Sequence, residues 1–248
     1  MDFYPLIFKR KSFHKFKDTG TISQEELKAL REFIANDLVP LDENIRTQIE
    51  IVPESETTCK RGGEYCVLFY SEEKQNYLNN IGYIGEQIDL WCASKDIGAL
   101  WFGIGKVKEK QKDGLSFCIM IAIAKVSSES FRKDMFKSKR KELSEFWSGD
   151  TLNVGEIVRF TPSACNTQPW IVENTGEKLL VYRYKKPGKR GIMPILMVKY
   201  YNRIDIGIFL FMLEVCLCHE GKDFERKLFS DTVGDDVEKI LVAEYMLK

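Results

Sequence analysis

The sequence predicts an α+β fold made of two halves with a similar plan, residues 1–126 and 127–248. In both halves, apolar residues at helical spacing alternate with short apolar runs, as expected for helices and sheets that share a core. A polar and basic stretch from about 126 to 140 lies between the halves and is typical of a surface linker. The 44% hydrophobic content over 248 residues is enough to build a sizeable core.

Two elements are predicted at the start of the first half. Ser23 and Glu26 have the spacing of a capping box, which predicts a helix that continues to about Asn36. Pro40 then breaks the chain. The isoleucines that follow it alternate toward Pro53 and predict a strand.

The rest of the first half is predicted to contain two strands and one long helix. Residues 65–70 form a short apolar strand. Residues 115–125 are almost continuously apolar, which is typical of a central strand covered on both faces. Between these strands, apolar residues at helical spacing predict a helix from Gly82 to Lys95, with Gly98 as its C-cap.

The second half is predicted to contain two helices and three strands. The helices are residues 152–160 and the long apolar segment 203–219, which ends near Gly221. The strands, in chain order, are residues 170–174, 178–184 and 195–200, and a turn is predicted at 188–191.

The segment between Pro162 and Pro169 has an unusual composition for a connection. Each proline disfavours the helical conformation in the residue before it, so the segment is expected to be extended at both ends. Ser163, Asn166 and Gln168 offer hydroxyl and amide groups without charge. Such a loop suits a polar, planar, uncharged ligand.

A second unusual segment lies near the amino terminus, where five of the eight residues Lys9–Phe16 can carry a positive charge. Short charge runs are usually solvated turns. The alternative is a phosphate clamp, because arginine and a serine hydroxyl can donate charge-assisted hydrogen bonds to phosphate oxygens. The sequence around this run leaves both interpretations open.

The two halves share landmarks in the same order. Pro40 and Asn44 stand four residues apart in the first half, as Pro162 and Asn166 do in the second. Each half also has a long apolar helix with an Ile-Asp pair, and the two pairs are Ile88-Asp89 and Ile204-Asp205. The shared order favours an internal duplication.

Composition argues against several classes of function. Lys plus Arg and Asp plus Glu are equal at 37 each, so no global field favours nucleic acid or an acidic membrane. The two histidines, His14 and His219, are far apart, and no ligand-spaced cluster predicts a metal site or a hydrolytic triad.

Cysteine usage and hydropathy predict a cytoplasmic protein. The seven cysteines are odd in number and lack a Cys-x-x-Cys pair, which favours reduced thiols. The amino terminus lacks the apolar core of a secretory peptide. The longest apolar runs, 117–124 and 206–213, are far shorter than the roughly 20 residues that span a bilayer.

The two unusual segments together resemble the nitroreductase family of flavin enzymes. That family has a basic-basic-Ser motif, similar to Arg10-Lys11-Ser12, and later Pro-Ser, two residues, Asn, one residue and Gln-Pro-Trp, similar to 162–170. The stretch 95–101, with Gly98 and a Trp, is similar to the end of a family helix and its Gly-rich turn. The resemblance implies a nitroreductase-like fold, a mixed sheet flanked by helices.

The order of the motifs resembles one branch of the family, in which a single chain contains two half-repeats and imitates the usual dimer. Ordinary members carry the Pro-Ser motif soon after the first helix, where this chain has Leu41 and Arg46 in place of Ser163 and Gln168. The resemblance implies a monomer that resembles a family dimer, with further dimerisation possible. It also implies that residues 10–14 of one half face residues 162–166 of the other.

The resemblance implies an FMN site without a metal and without a catalytic side chain. The residues implied at the phosphate are Arg10, Lys11 and Ser12, with Lys139 and Arg140 as weaker candidates. The residues implied at the isoalloxazine ring are Pro162, Ser163, Ala164 and Asn166 along its edge, and the backbone of Gly98 and Ala99 near its pyrimidine or N5 side. Gln168 is expected to brace the loop and Trp170 to lie in the core.

His14 departs from the family pattern, which usually has Arg or Lys near the flavin N1 and O2 atoms. A histidine stabilises an anionic reduced flavin there only when it is protonated. The alternative is a solvated histidine in a basic turn.

The function implied is an FMN-dependent oxidoreductase with a ping-pong mechanism. NAD(P)H would reduce the flavin and leave, and a small electron-poor acceptor, nitroaromatic- or quinone-like, would then take the electrons. No nucleic-acid or membrane partner is expected. Two alternatives stay open: a flavin-binding protein without turnover, used for sensing or storage, and a structural or partner-binding protein with a dead site.

Overall fold

A computed structural model describes residues 1–185, 191–231 and 237–248 of the chain. The chain divides into two compact units. The first unit contains Met1–Tyr77 and Ile84–Met135, and the second contains Leu78–Tyr83 and Phe136–Lys248. Most of the turn predicted at 188–191 lies outside the described residues. No helix among the described residues is long and apolar enough to cross a membrane.

The first unit contains three helices and one five-stranded antiparallel sheet. The helices are α1 (Tyr4–Lys9), α2 (Gln24–Asn36) and α3 (Tyr77–Ser94). Residues Leu78–Tyr83 of α3 belong to the second unit. The strands are β1 (Thr47–Pro53), β2 (Tyr65–Ser71), β3 (Ile97–Phe102), β4 (Gln111–Lys112) and β5 (Leu115–Lys125). The strand order is β1-β2-β5-β3, and β4 pairs with β5.

Local sequence signals explain several of these elements. The capping box is present, since Ser23 Oγ accepts from the Glu26 amide at 3.1 Å and Glu26 Oε2 accepts from the Ser23 amide at 2.9 Å. β5 has the predicted bounds and pairs with both β2 and β3, so its continuous apolar run is buried on both faces. The predicted central strand is therefore confirmed.

The prediction that Gly98 caps α3 is wrong. α3 ends at Ser94, and Gly98 lies inside β3, paired with Ala124 of β5. The left-handed residue between helix and strand is Asp96, with φ 53°. An Asp tolerates this conformation better than most residues, so the chain can turn before it reaches the glycine. α3 also begins five residues earlier than predicted.

The described residues of the second unit form two α-helices and a mixed five-stranded sheet. The helices are α4 (Gly155–Val158) and α5 (Ile195–His219). The strands are β6 (Trp147–Ser148), β7 (Trp170–Asn174), β8 (Lys178–Tyr184), β9 (Phe224–Leu228) and β10 (Lys239–Leu247). The strand order is β6-β7-β8-β10-β9; the short β6–β7 pair is parallel, and the other pairs among these described strands are antiparallel.

Two strand predictions in the second unit are confirmed, and two other elements need correction. β7 and β8 have the predicted bounds. The strand predicted at 195–200 is wrong, because these residues form the first turns of α5 after Pro194, which is compatible with a helix start. The helix predicted at 152–160 is only Gly155–Val158, since Leu152 and Asn153 have left-handed backbones that a right-handed helix excludes.

The two sheets have the same core topology. Apart from the two-residue β4, each unit has two antiparallel strands followed by a long helix and two more strands, and the last strand pairs with the second. The orders are β1-β2-β5-β3 and β7-β8-β10-β9. The common topology agrees with the predicted duplication, which itself stays a prediction, as does the boundary between 126 and 127.

Candidate functional site

In the first unit, the basic motif runs along the edge strand β3. Ser12 forms a parallel bridge with Ala99, and the Phe13 amide donates to the Ala99 carbonyl at 3.0 Å. Gly98 faces the ring of Phe13 so closely that a Cβ there would lie 2.9 Å from the ring. The fold therefore brings three predicted site residues, Ser12, Gly98 and Ala99, to one place.

Arg10 lies behind this edge and is only 3% exposed. Its Nε donates to Oδ2 of Asp89 at 2.9 Å and lies 3.2 Å from Oε1 of Glu86. Its Nη2 donates to Oγ of Ser12 at 3.0 Å. The guanidinium of Arg10 is therefore paired with buried carboxylates of α3. Its contact with the predicted site is the hydrogen bond to the Ser12 hydroxyl.

Burial governs the titration of the two carboxylates. Burial, opposed by the attraction of Arg10 and reinforced by the neighbouring Asp89, raises the pKa of Glu86 to about 8. Burial also raises the pKa of Asp89, although Arg10 and the Trp101 indole N–H favour its charged form. Because Arg10 and the Trp101 indole both donate hydrogen bonds to Asp89, the geometry favours an Arg⁺–Asp⁻ pair at this position.

The exposed basic side chains of the segment Lys9–Phe16 are Lys11, His14 and Lys15. Lys11 Nζ donates to the Ser130 carbonyl at 2.7 Å and lies 5.0 Å from the centre of the Phe13 ring. These contacts use only part of the ammonium group, which has three protons to donate. The first unit therefore presents accessible positive charge beside the Ser12 hydroxyl.

In the second unit, the predicted polar loop has a strained backbone. Residues Ala164–Asn166 form a 3-10 turn, in which Cys165 and Asn166 have φ of 51° and 57°. Gln168, which follows this turn, has φ of 49°. Left-handed backbone is uncommon for residues other than glycine. Cys165 and Asn166 are exposed at the tip of the loop, whereas Pro162 and Gln168 are buried.

Hydrogen bonds within the second unit hold this loop in place. The Gln168 amide donates to Ser163 Oγ at 3.0 Å, and the Ala164 amide donates to Oδ1 of Asp205 at 2.8 Å. Gln168 Oε1 accepts from the Lys141 amide at 2.9 Å, as expected for a residue that braces the loop.

The predicted core position of Trp170 is confirmed. Trp170 is fully buried and stacks on Phe209 of α5, with the ring centroids 4.7 Å apart. The carboxyl end of the motif is therefore part of the core of the second unit.

The basic pair Lys139 and Arg140 lies beside the loop. Asn166 Nδ2 donates to the Lys139 carbonyl at 3.1 Å, and Arg140 Nη1 donates to the same carbonyl at 2.8 Å. Arg140 Nη2 also donates to the Phe160 carbonyl at 3.3 Å. The fold therefore brings Lys139, Arg140 and Asn166 together, with Lys139 contributing backbone as well as charge.

Comparison with protein-family models identifies the family to which this chain belongs. The family described as "Putative TM nitroreductase" matches residues 2–216, most of the 248-residue chain. The chain belongs to this family. Membership supports an oxidoreductase role for the protein.

A solved structure supports the same fold for this family member. The protein described as a "putative nitroreductase" of Thermotoga maritima is 17% identical, with a TM-score of 0.62 over 100% of this chain and 93% of that one. At this identity the likeness shows the fold alone. A "putative NADH dehydrogenase/NAD(P)H nitroreductase" of Parabacteroides distasonis has a TM-score of 0.42 at 13% identity, over 56% of this chain and 94% of that one. The search of curated proteins gave no match.

Several residues in and around these two segments were not among the predicted site residues. Cys165, at the exposed tip of the loop, is one of the unspecified positions of the motif. Asp89 and Asp205 were recognised only as repeat landmarks, and Glu86 was not singled out. The available signal is an acid within a long, largely apolar helix, because such a carboxylate needs a partner inside the fold.

Proposed function

We propose that this protein is an FMN-dependent oxidoreductase that uses NAD(P)H to reduce nitroaromatic- or quinone-like acceptors. The observation that carries the proposal is the polar loop of the second unit, which exposes Asn166 on a left-handed backbone held by hydrogen bonds. Strained conformations persist where the surrounding structure fixes them, and they cluster at ligand-binding sites.

The groups of the first unit fit an FMN phosphate. Ser12 Oγ accepts from Arg10, so its own proton is available for an anion. Lys11 is exposed in the same motif and supplies a cationic donor, and the exposed His14 supplies a ring N–H. We propose that Arg10 acts on the phosphate through Ser12, because its guanidinium is buried and paired with Asp89.

The groups of the second unit fit the uncharged ring of FMN. Ser163 and Asn166 offer a hydroxyl and an amide, which match the carbonyl and ring-nitrogen edge of an isoalloxazine. Ala164 offers surface only, since its amide already donates to Asp205. Pro162 is buried and has no N–H, so we propose that it fixes the backbone of the loop beside the ring. The other residues proposed at the cofactor are Gly98, Ala99, Lys139 and Arg140.

Bound FMN would supply the redox chemistry, accepting a hydride from a nicotinamide and passing electrons to the acceptor. The chain would bind the phosphate, orient the ring and leave one face open. No side chain is proposed as a general acid or base. Accordingly, substitutions at the site should change affinity and potential more than they remove an essential proton donor.

The proposal is tested by titrating the purified protein with FMN and recording flavin fluorescence and the absorption difference spectrum. Ser12→Ala and Asn166→Ala should each weaken binding by about tenfold, the value of one or two lost hydrogen bonds. Asn44→Ala is the matched control, because Asn44 is the exposed amide of the corresponding segment in the first half and donates to Asp42. It should bind FMN as the native protein does.

Steady-state oxidation of NADH and NADPH with a quinone and a nitroaromatic acceptor then tests turnover. Parallel lines in double-reciprocal plots are expected for the ping-pong mechanism. A protein that shows no flavin difference spectrum would refute the proposal. Flavin binding without turnover would instead favour the alternative of a flavin-binding protein used for sensing or storage.

A further inference from the structure

The loop of the second unit needs an anchor. Cys165, Asn166 and Gln168 all have left-handed backbone angles, although none is a glycine. An isolated loop of this composition would relax to commoner conformations, because the left-handed region brings Cβ close to backbone oxygen. Contacts from outside the loop must therefore select the observed conformation.

The strongest outside contact comes from the buried face of α5. Asp205 is 3% exposed, and its Oδ1 accepts from the Ala164 amide at 2.8 Å. Thr167 Oγ1 donates to Oδ1 of Asn202 at 3.1 Å and lies 3.4 Å from Oδ2 of Asp205. Asn202 and Asp205 are three residues apart, so they share one face of the helix. This face of α5 therefore binds Ala164 and Thr167, the residues on either side of Cys165 and Asn166.

The chemistry of this contact suits a neutral acid. Burial raises the pKa of Asp205 to about 8, although hydrogen bonds from Ala164 and Thr167 lower it. A single Thr167 hydroxyl proton faces two acceptor oxygens, and a protonated Asp205 would supply the missing donor. An asparagine at this position would keep one acceptor for the Ala164 amide and one donor for Thr167.

We propose that Asp205 is a positioning residue that holds the 163–168 loop in its flavin-binding conformation through the Ala164 amide and the Thr167 hydroxyl. The inference rests on the proposed function for its effect on FMN, but the anchoring of the loop stands on the hydrogen bonds alone. Asp205 is buried and contacts the loop from α5, and it is not a catalytic residue.

The test compares three variants of the full chain with a control. Asp205→Ala removes both contacts, Asp205→Asn keeps their geometry, and Thr167→Val removes only the hydroxyl. Val181→Ala is the control, because Val181 is a fully buried residue of β8 in the same unit and its loss lowers stability without removing a hydrogen bond of the loop. Two quantities are measured: amide hydrogen exchange in a peptide covering 161–170, and FMN affinity.

In Asp205→Ala, the peptide should exchange about tenfold faster and FMN should bind about tenfold more weakly, as expected when buried hydrogen bonds are lost. Asp205→Asn should remain close to the native protein in both measurements. Thr167→Val should give an exchange rate and an FMN affinity between those of the native protein and Asp205→Ala. If Asp205→Ala does not fold, Thr167→Val still tests the direction. Val181→Ala should leave the exchange of this peptide unchanged.

The outcomes separate the inference from the proposed function. Native exchange in both Asp205→Ala and Thr167→Val would overturn the anchoring role, whatever FMN does. Fast exchange with native FMN affinity would overturn the link to the flavin. If the native protein itself binds no FMN, the proposed function fails, and hydrogen exchange alone decides whether Asp205 positions the loop.

Discussion

Arg10 Nε donates to Oδ2 of Asp89 at 2.9 Å, and neither side chain is more than 3% exposed. The two residues are 79 positions apart, so the pair joins the amino-terminal motif to α3 within the first unit. A buried charge that loses its partner is costly because it can be neither solvated nor compensated.

Arg10→Met should therefore destabilise the protein by about 3–5 kcal/mol, the range for breaking a buried ion pair. Chemical denaturation in urea measures this loss. Lys9→Met is the matched control, since the Lys9–Asp96 pair at 2.7 Å is partly exposed and such pairs contribute about 0–1 kcal/mol. Equal losses in the two variants would contradict the structural role of Arg10. The double variant Arg10→Met, Asp89→Leu should regain part of the stability.

Glu86→Gln should change how stability depends on pH. The pKa of Glu86 is raised from 4.5 to about 8, chiefly by burial. Between these values the folded protein holds a proton that the unfolded chain has lost, so the contribution of Glu86 to stability falls as pH rises. The advantage of the variant over the native protein should therefore grow from pH 5 to pH 8. Urea midpoints at several pH values measure it.

Glu26→Gln is a control with the opposite sign. Burial acts to raise the pKa of Glu26, but hydrogen bonds from Lys125 and Ser23 outweigh it and the pKa is lowered. The stabilisation by this carboxylate is present at neutral pH and is lost as pH falls. Relative to the native protein, the variant should look worst at neutral pH and recover in acid. The same trend in both variants would contradict the assignment for Glu86.

The parts of the fold that sequence predicted are those set by local chemistry. The capping box at Ser23, the apolar run of β5 and the bounds of β7 each depend on neighbouring residues. The prediction that Gly98 caps α3 is wrong because Asp96 adopts the left-handed conformation between the helix and β3. The helical start at Ile195 was misjudged because a short apolar run fits a strand or a buried helix equally well.

Sequence also found the candidate residues but not their partners. The motif named Arg10 as a phosphate ligand, yet its charge is directed to Asp89 and Glu86 on α3. The loop motif named Asn166 but not the anchor at Asp205. These pairings join positions 38 to 79 residues apart, and no spacing rule specifies which buried acid a distant group will meet.

Gly82→Ala and Gly207→Ala should each be strongly destabilising. Within the second unit, a Cβ on Gly82 would lie 1.9 Å from the carbonyl oxygen of Ile204, and a Cβ on Gly207 would lie 1.8 Å from that of Asn79. Backbone atoms must move to admit either methyl group, so a loss of about 3 kcal/mol is expected in urea or thermal unfolding.

Gly20→Ala is the matched control for these substitutions. A Cβ there would lie 3.3 Å from Cγ of Lys125, so a side chain, and not the backbone, must shift by a few tenths of an ångström. Its effect should stay within about 0.5 kcal/mol, as for other surface changes. A Gly82→Ala variant as stable as Gly20→Ala would contradict the close helix contact.

The Pro162–Trp170 motif should separate into a core end and a ligand end. Trp170 is fully buried against Phe209, so Trp170→Ala should cost about 3–5 kcal/mol in urea unfolding, and Trp170→Phe less because it keeps a ring in the stack. Asn166 is exposed, so Asn166→Ala should cost only about 1 kcal/mol, from the left-handed backbone and the lost bond to the Lys139 carbonyl. In FMN titration the order should reverse: Trp170→Phe should bind as the native protein does, and Asn166→Ala about tenfold more weakly. Weak FMN binding by Trp170→Phe with native unfolding would show that the indole touches the ligand and would contradict this division of the motif.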